Sequence, residues 1–352
     1  MKGRYLSFLF IMILILTILL SLFYGSVKVP FEDILKIIIN KVFNMDFVVG
    51  KQNYIPIIYN VRLPRVLIAA IVGGALGISG CTMQSLLKNP IVDSGIVGIS
   101  SGASLGAVLA ISFGLTEKYS FAMPSFSIML ALSSAFLVYS LASLKGRIDN
   151  LLLVLSGIAI NSFIGGIISL ILINLTDGRV KEYIFWSIGS LSGRRWEHFN
   201  LSVIPIVFLS VILMTYGKEL NILLLGDEEA KALGIDIKNL RKKILIIISL
   251  LTSISVCVSG NIGFVGLIIP HILRKLIGAD NRYLLKFSFL AGAFFMTFCD
   301  LISRIIFSPK EFGVGIITAF IGSPYFMYLI VKSRKGEKIS ERIWVRSKKN
   351  II

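Results

Sequence analysis

The sequence predicts an all-α polytopic membrane protein, and three observations carry that prediction. Hydrophobic residues make up 55% of the 352-residue chain and charged residues only 16%, with a mean hydropathy of +0.86; no ordinary soluble domain has that balance. Apolar segments recur near 5–25, 63–87, 94–114, 121–144, 151–175, 199–216, 243–260, 262–278, 284–307 and 312–332, ten in all, most of them near the ~20 residues that cross ~30 Å of hydrocarbon. Charge collects between the segments, most densely in the island GKELNILLLGDEEAKALGIDIKNLRKK at 217–243. Charge and free backbone are costly in lipid, so that island lies outside the hydrocarbon.

The first segment starts with Lys2 and Arg4, and no small-x-small cleavage site follows it. It reads as a retained helix rather than a cleaved signal. The mixed stretch 26–61 carries a candidate helix near 31–43. In the second segment Gly73, Gly74, Gly77 and Gly80 form a small-residue face that permits tight crossing. Asn89-Pro90 ends that helix, because proline cannot extend it. Gly95, Gly98, Gly102 and Gly106 give the third segment a second small face. Packing accounts for these glycines but not for Gln84, Ser100, Ser101 and Ser104, polar groups at membrane depth that are candidates to line a pathway. The stretch 177–198 is amphipathic, with a short outer helix expected around 184–191. His271, after Pro270, reads as a hydrogen-bonded structural residue. Asp300 and Arg304 are four apart, share a helix face and form an expected intrahelical ion pair. Arg304 is also a candidate to join Arg62 and Arg65 in an outer cationic ring, which suits either an acidic docking partner or lipid headgroups.

The net charge of +17 sorts by loop, which makes it a topology signal rather than a nucleic-acid signal. An even number of spans puts both termini on one side. Placing them in the cytoplasm leaves the larger share of the Lys and Arg inside, including the island and a basic tail at 335–352. Ser79-Gly80 precedes Pro90 as Ser259-Gly260 precedes Pro270, a weak sign of an inverted repeat. Cys81, Cys257 and Cys299 sit in apolar stretches and imply no disulfide framework. With only His198 and His271, a histidine metal site is not indicated. GISSG at 98–102 has the form of a nucleophile elbow, but no strand precedes it, and its order with His271 and Asp300 is not the hydrolase order. No Gly-x4-Gly-Lys-Ser/Thr loop occurs, so ATP, if used, binds another chain.

RLPR (62–65), QSLLKNPIVDSG (84–95), GISSGASLGA (98–107), FWSIGSLSG (185–193), LGDEEAKALGI (225–235), GFVGLIIPHILR (263–274) and FGVGIITAFIGSPYF (312–326) together resemble the FecCD-type permeases. These are membrane subunits of type II ABC importers for iron–siderophore, haem and vitamin B12 complexes. The resemblance implies one ten-helix permease domain in a bacterial cytoplasmic membrane, paired with itself or a paralogue. It also implies two ATPase subunits carrying ATP and Mg, a substrate-binding protein on the far side, and no cofactor on this chain. Coupling to the ATPases would fall to Leu225, Gly226, Asp227, Glu228, Glu229, Ala230, Leu233 and Gly234, which echo E-A-A-x3-G with Glu229 in place of the first Ala. Arg62, Arg65 and Arg304 would meet acidic residues of the binding protein. Ile91 and the turn Asp149, Asn150, Leu151 would narrow the pathway, Asp149 being acidic where a small hydroxyl residue is familiar. The function expected is import of a metal chelate, iron–siderophore or haem, by alternating access. The rivals are vitamin B12 import, an ion-driven secondary transporter, which would need paired intramembrane acids, and a membrane enzyme.

Overall fold

The computed structural model describes residues 2–25, 27–119, 121–144, 147–148, 150–306 and 311–334. Asp149 and the tail 335–352 fall outside these. Each of the ten apolar segments is a helix: α1 (Lys2–Phe23), α3 (Leu63–Leu86), α4 (Ile99–Ser112), α6 (Ala122–Ala142), α7 (Asn150–Ile173), α9 (Trp196–Thr215), α12 (Ile237–Ser259), α13 (Val265–Ile277), α14 (Asn281–Ile305) and α15 (Val314–Arg334). Shorter helices fill the connections: α2 (Phe31–Phe43), α5 (Leu115–Lys118), α8 (Asp177–Ser187), α10 (Gly217–Leu225) and α11 (Asp227–Ala232). A hairpin of two-residue strands, Ser143–Leu144 (β1) and Arg147–Ile148 (β2), joins α6 to the turn before α7. Among the described residues, seven helices are long and apolar enough to cross a membrane. At 14 and 13 residues, α4 and α13 are only about 20 Å long, short of the hydrocarbon thickness.

The bundle is built around α3. A π-helical turn at Pro56–Arg62 leads into it, and Pro64 stands in its first turn, where a missing N–H costs nothing. Within its most apolar stretch 89% of residues are buried, against 22% in α7 and in α9, which show apolar side chains to the surroundings. Glycine makes the central crossing possible. A Cβ on Gly73 would lie 2.3 Å from the Gly292 carbonyl oxygen, and one on Gly80 would lie 2.0 Å from that of Gly266. Those contacts bring the backbones of α14 and α13 against α3, as small-residue faces do in lipid.

The helix near Phe31–Phe43 stands where the sequence places it. The outer helix expected at 184–191 instead spans Asp177–Ser187, because Asp177 supplies an acidic first turn and the chain breaks at Gly189, φ 79°. The Gly-to-Pro match between the halves does not extend to local structure. Gly80 is inside α3 while Gly260 follows α12, and Pro90 is in a turn while Pro270 is inside α13. What does recur is a long helix followed by a short one entered through a left-handed residue, Gly98 (φ 80°) before α4 and Phe264 (φ 69°) before α13.

Candidate functional site

Polar chemistry concentrates at the two ends of the bundle. At one end lies the charged island, folded as α10, α11 and the start of α12. Gly226 (φ 150°) separates the first two helices. Asp227, Glu228 and Glu229 fill the first turn of α11, where the helix dipole favours anions. Gly234 (φ 82°) turns the chain, and the Asp236 carboxylate caps α12 by accepting from Asn239 N at 3.1 Å. Ala230 is buried, while Glu228, Glu229, Leu233 and Gly234 face outward, and Leu225 ends α10 half-buried. The island thus presents an acidic and apolar surface over a buried foot.

Two polar links tie the island to the bundle. The Asp227 carboxylate accepts from Lys88 Nζ at 2.9 Å, just past the end of α3, and from Arg241 Nη2 at 3.1 Å on α12. Partial burial pushes the Asp227 pKa up, but the Lys88 hydrogen bond and the Arg241 charge outweigh it and hold the carboxyl below its usual range. The second link is a chain of hydrogen bonds that runs from buried Ser85, Asn281 and Asn221 to half-buried Asp280. Ser85 Oγ donates to Asn281 Oδ1 at 2.7 Å, Asn281 N donates to Asn221 Oδ1 at 2.8 Å, and Asn221 Nδ2 donates to Asp280 Oδ1 at 2.7 Å. It joins α3, α14 and α10. No periodic pattern announced it, although a fully buried Asn at a helix start is the kind of intramembrane polar residue that marks such a join.

At the opposite end the three arginines come together, turned inward. Arg62 Nη1 donates to the Leu22 and Phe23 carbonyls at 2.7 and 3.2 Å, and its Nη2 donates to Val27 O. Arg65 meets Asp300 at 2.9 Å and Glu311 at 2.7 Å. The expected Asp300–Arg304 pair forms at 3.2 Å, and Arg304 Nη2 also reaches Ser21 Oγ and, at 3.1 Å, Ser21 O. Asp300 is fully buried. The cluster locks α1, α3, α14 and the entry to α15 together. Glu311, which sequence reasoning passed over, is its most exposed acid.

The pathway candidates divide. Gln84 is buried: its Nε2 donates to the Gly266 and Leu267 carbonyls at 3.2 and 3.3 Å, and its Oε1 accepts from Arg274. It binds α3 to α13. Ser101 Oγ reaches the Gly98 carbonyl at 3.0 Å and Asn161 Oδ1, and Ser104 Oγ donates to Ser100 O at 2.9 Å. Asn150 Nδ2 reaches Leu87 O at 3.4 Å, which places the start of α7 against the end of α3. Ile91 and Leu151 stand exposed at that same end. The GISSG serines, His271 and Asp300 do not assemble: Asp300 is engaged by two arginines, and His271 packs edge-on against Tyr325 at 6.1 Å. Near the arginine end a cavity of about 770 Å³ opens between α8 and the start of α15, lined by Trp186, Ser190, Arg194, Ser259 and Glu311 among others. Several of these residues belong to FWSIGSLSG, to which sequence reasoning gave no role of its own. Among the described residues no group of three or more His, Cys, Asp or Glu could hold a metal.

A family model described as the FecCD transport family matches residues 13–332. The ABC transporter permease protein YvrB of Bacillus subtilis (strain 168) is 39% identical over 92% of this chain and 92% of its own length. The cobalamin import system permease protein BtuC of Halobacterium salinarum is 38% identical over 78% of this chain and 73% of its own. The hemin transport system permease protein HmuU of Yersinia pestis is 37% identical over 78% of this chain and 83% of its own. A solved structure of a proposed metal-chelate type ABC transporter, in an inward-facing conformation, superposes with a TM-score of 0.80 at 31% identity, covering 94% of this chain and 99% of that one.

Proposed function

This chain belongs to the FecCD transport family, and from that premise we propose that it is the permease subunit of an ATP-driven importer that carries a metal chelate, iron–siderophore or haem, into the cytoplasm by alternating access. It is an integral multi-pass membrane protein of that transport family. ATP would be hydrolysed by two separate ATPase subunits, a second permease subunit would complete the pathway, and a binding protein would deliver the substrate. The hemin permease relative and the metal-chelate transporter structure support this choice of substrate class.

The observation that carries the reading is the double attachment of the island. An ATPase gripping Leu225 to Gly234 would pull on α3 and α12 through Asp227, and on α14 through Asn221. All three helices contribute to the bundle core, so a shift of the island biases a two-state bundle. Within this reading Ile91 and Leu151 narrow the pathway at the island end, while Gln84 holds α13 in place. The 770 Å³ cavity receives the chelate at the other end, a volume within the ~300–1,000 Å³ range of ligand sites. Docking by Arg62, Arg65 and Arg304 would require a partner carboxylate to displace Glu311 from Arg65.

The test is a pair of substitutions on the exposed surface of α11 and of the residue that follows it. Glu228 and Leu233 are exposed, so Glu228→Lys with Leu233→Glu leaves the packing intact; Gly234 is avoided because its φ of 82° strains any side chain. In the reconstituted importer this variant is expected to assemble poorly with its ATPases and to lose ATP-dependent uptake while inserting normally. Uptake at the parental rate would remove the island from the mechanism.

A further inference from the structure

A groove of about 280 Å³ runs between α6 and α12, and none of the pathway candidates lines it. Its walls are apolar, formed by Ala135, Phe136 and Tyr139 of α6 and by Leu245 and Ile246 of α12. Lys242 stands at one end and forms no ion pair or hydrogen bond among the described residues. Phe136 and Ile246 are exposed along the rim, so the groove opens sideways, toward whatever surrounds the bundle.

We infer that this groove binds one anionic phospholipid from the leaflet on the island side, with an acyl chain along the apolar walls and the phosphate on Lys242. Depth supports it. Lys242 lies five residues into α12, about 8 Å from the island end of that helix, and the groove continues about 12 Å further to Leu250. Tyr139 lies near the last turn of α6, the level at which amphipathic aromatic rings meet headgroups. The cation and the aromatic hydroxyl therefore mark the polar end, and the remaining walls lie in the hydrocarbon.

Size and chemistry favour a lipid over the other occupants. A helix of a neighbouring protein, ~10 Å across, is too wide to enter a groove of about 280 Å³ and would bring only its side chains to the walls. An extended peptide would leave its backbone groups unsatisfied in hydrocarbon. An acyl chain has neither difficulty, and a basic pocket between spanning helices is matched in charge by an anionic headgroup.

The experiment is native mass spectrometry of the purified full chain, with phosphatidylglycerol or phosphatidylcholine added back at matched concentrations. Retention of phosphatidylglycerol over phosphatidylcholine is expected. Lys242→Gln is expected to weaken phosphatidylglycerol retention by about fivefold, the factor one lysine near an anionic surface is worth. Ile246→Trp, which closes the rim without touching the cation, is expected to reduce retention of both lipids. Equal retention of the two lipids by the parental protein would overturn the inference. So would parental phosphatidylglycerol retention in both variants, or cross-linking of Phe136→Cys between two copies with lipid excluded. None of these readouts requires transport, so they stand or fall separately from the importer reading.

Discussion

Asp227 and Asp300 are each held by two cations, yet the two ends of the bundle use that arrangement differently. The Asp300 side chain is fully buried between Arg65 and Arg304, whereas the Asp227 side chain is 40% exposed between Lys88 and Arg241. A buried carboxylate with two buried guanidinium partners cannot lose one of them cheaply, because the remaining charge is left without water. A half-exposed carboxylate can exchange a lysine for water at little cost. The arginine end is therefore a fixed lock among α1, α3 and α14. The island end is held by ion pairs that can break and re-form at little cost.

The two ends differ most in what a substitution costs, and the largest cost falls at the lock. Asp300→Ala is expected to destabilise the protein by about 3–5 kcal/mol, since it leaves the buried Arg304 without its carboxylate and Arg65 with Glu311 alone. Chemical unfolding in detergent measures this, and a loss no larger than that of a surface substitution would place the charges in water. Next in size is Gly80→Val, which drives a side chain into the Gly266 carbonyl. It is expected to cost at least ~1–3 kcal/mol by overpacking and to lower the yield of folded protein from membranes. The smallest effect belongs to the joint. Asp227→Asn is expected to cost at most ~1 kcal/mol of stability while impairing coupled uptake. Because the Asp227 pKa is depressed in the folded state, its contribution is present above the unfolded pKa of ~3.9 and is lost as pH falls through the folded value. The stability gap between parent and variant is accordingly expected to stay flat from about pH 5 to 8 and to close only below about pH 4. A gap that closes near neutrality would mean the carboxylate is not held by Lys88 and Arg241.

Local pattern made most of the fold legible. Length and hydropathy place all ten apolar segments, and the amphipathic stripe of Phe31–Phe43 stands out within a mixed loop. The i, i+4 spacing of Asp300 and Arg304 is enough to pair them. Partners far apart in sequence were not legible. Arg65 finds Glu311 across 246 positions and Gln84 finds Arg274 across 190, and neither leaves a periodic trace. The same limit explains why Arg62 and Arg65 read as an outward ring: a helix-end arginine in an unpaired sequence looks free until the carbonyls of Leu22 and Phe23 fold over it. The island was legible as a surface element from its charge and its glycines. Its attachment through Asn221 and Asn281 was not, since two asparagines 60 residues apart carry no signal until α10 and α14 meet.

In the proposed importer the island is a joint facing the cytosol. Cysteine accessibility tests it most directly, because Cys81, Cys257 and Cys299 are all buried and leave a low background. Glu228→Cys, on the exposed face of α11, is expected to resist a membrane-impermeant thiol reagent in intact cells and to react once the membrane is opened. Full reaction in intact cells would put the island on the outside and contradict the account.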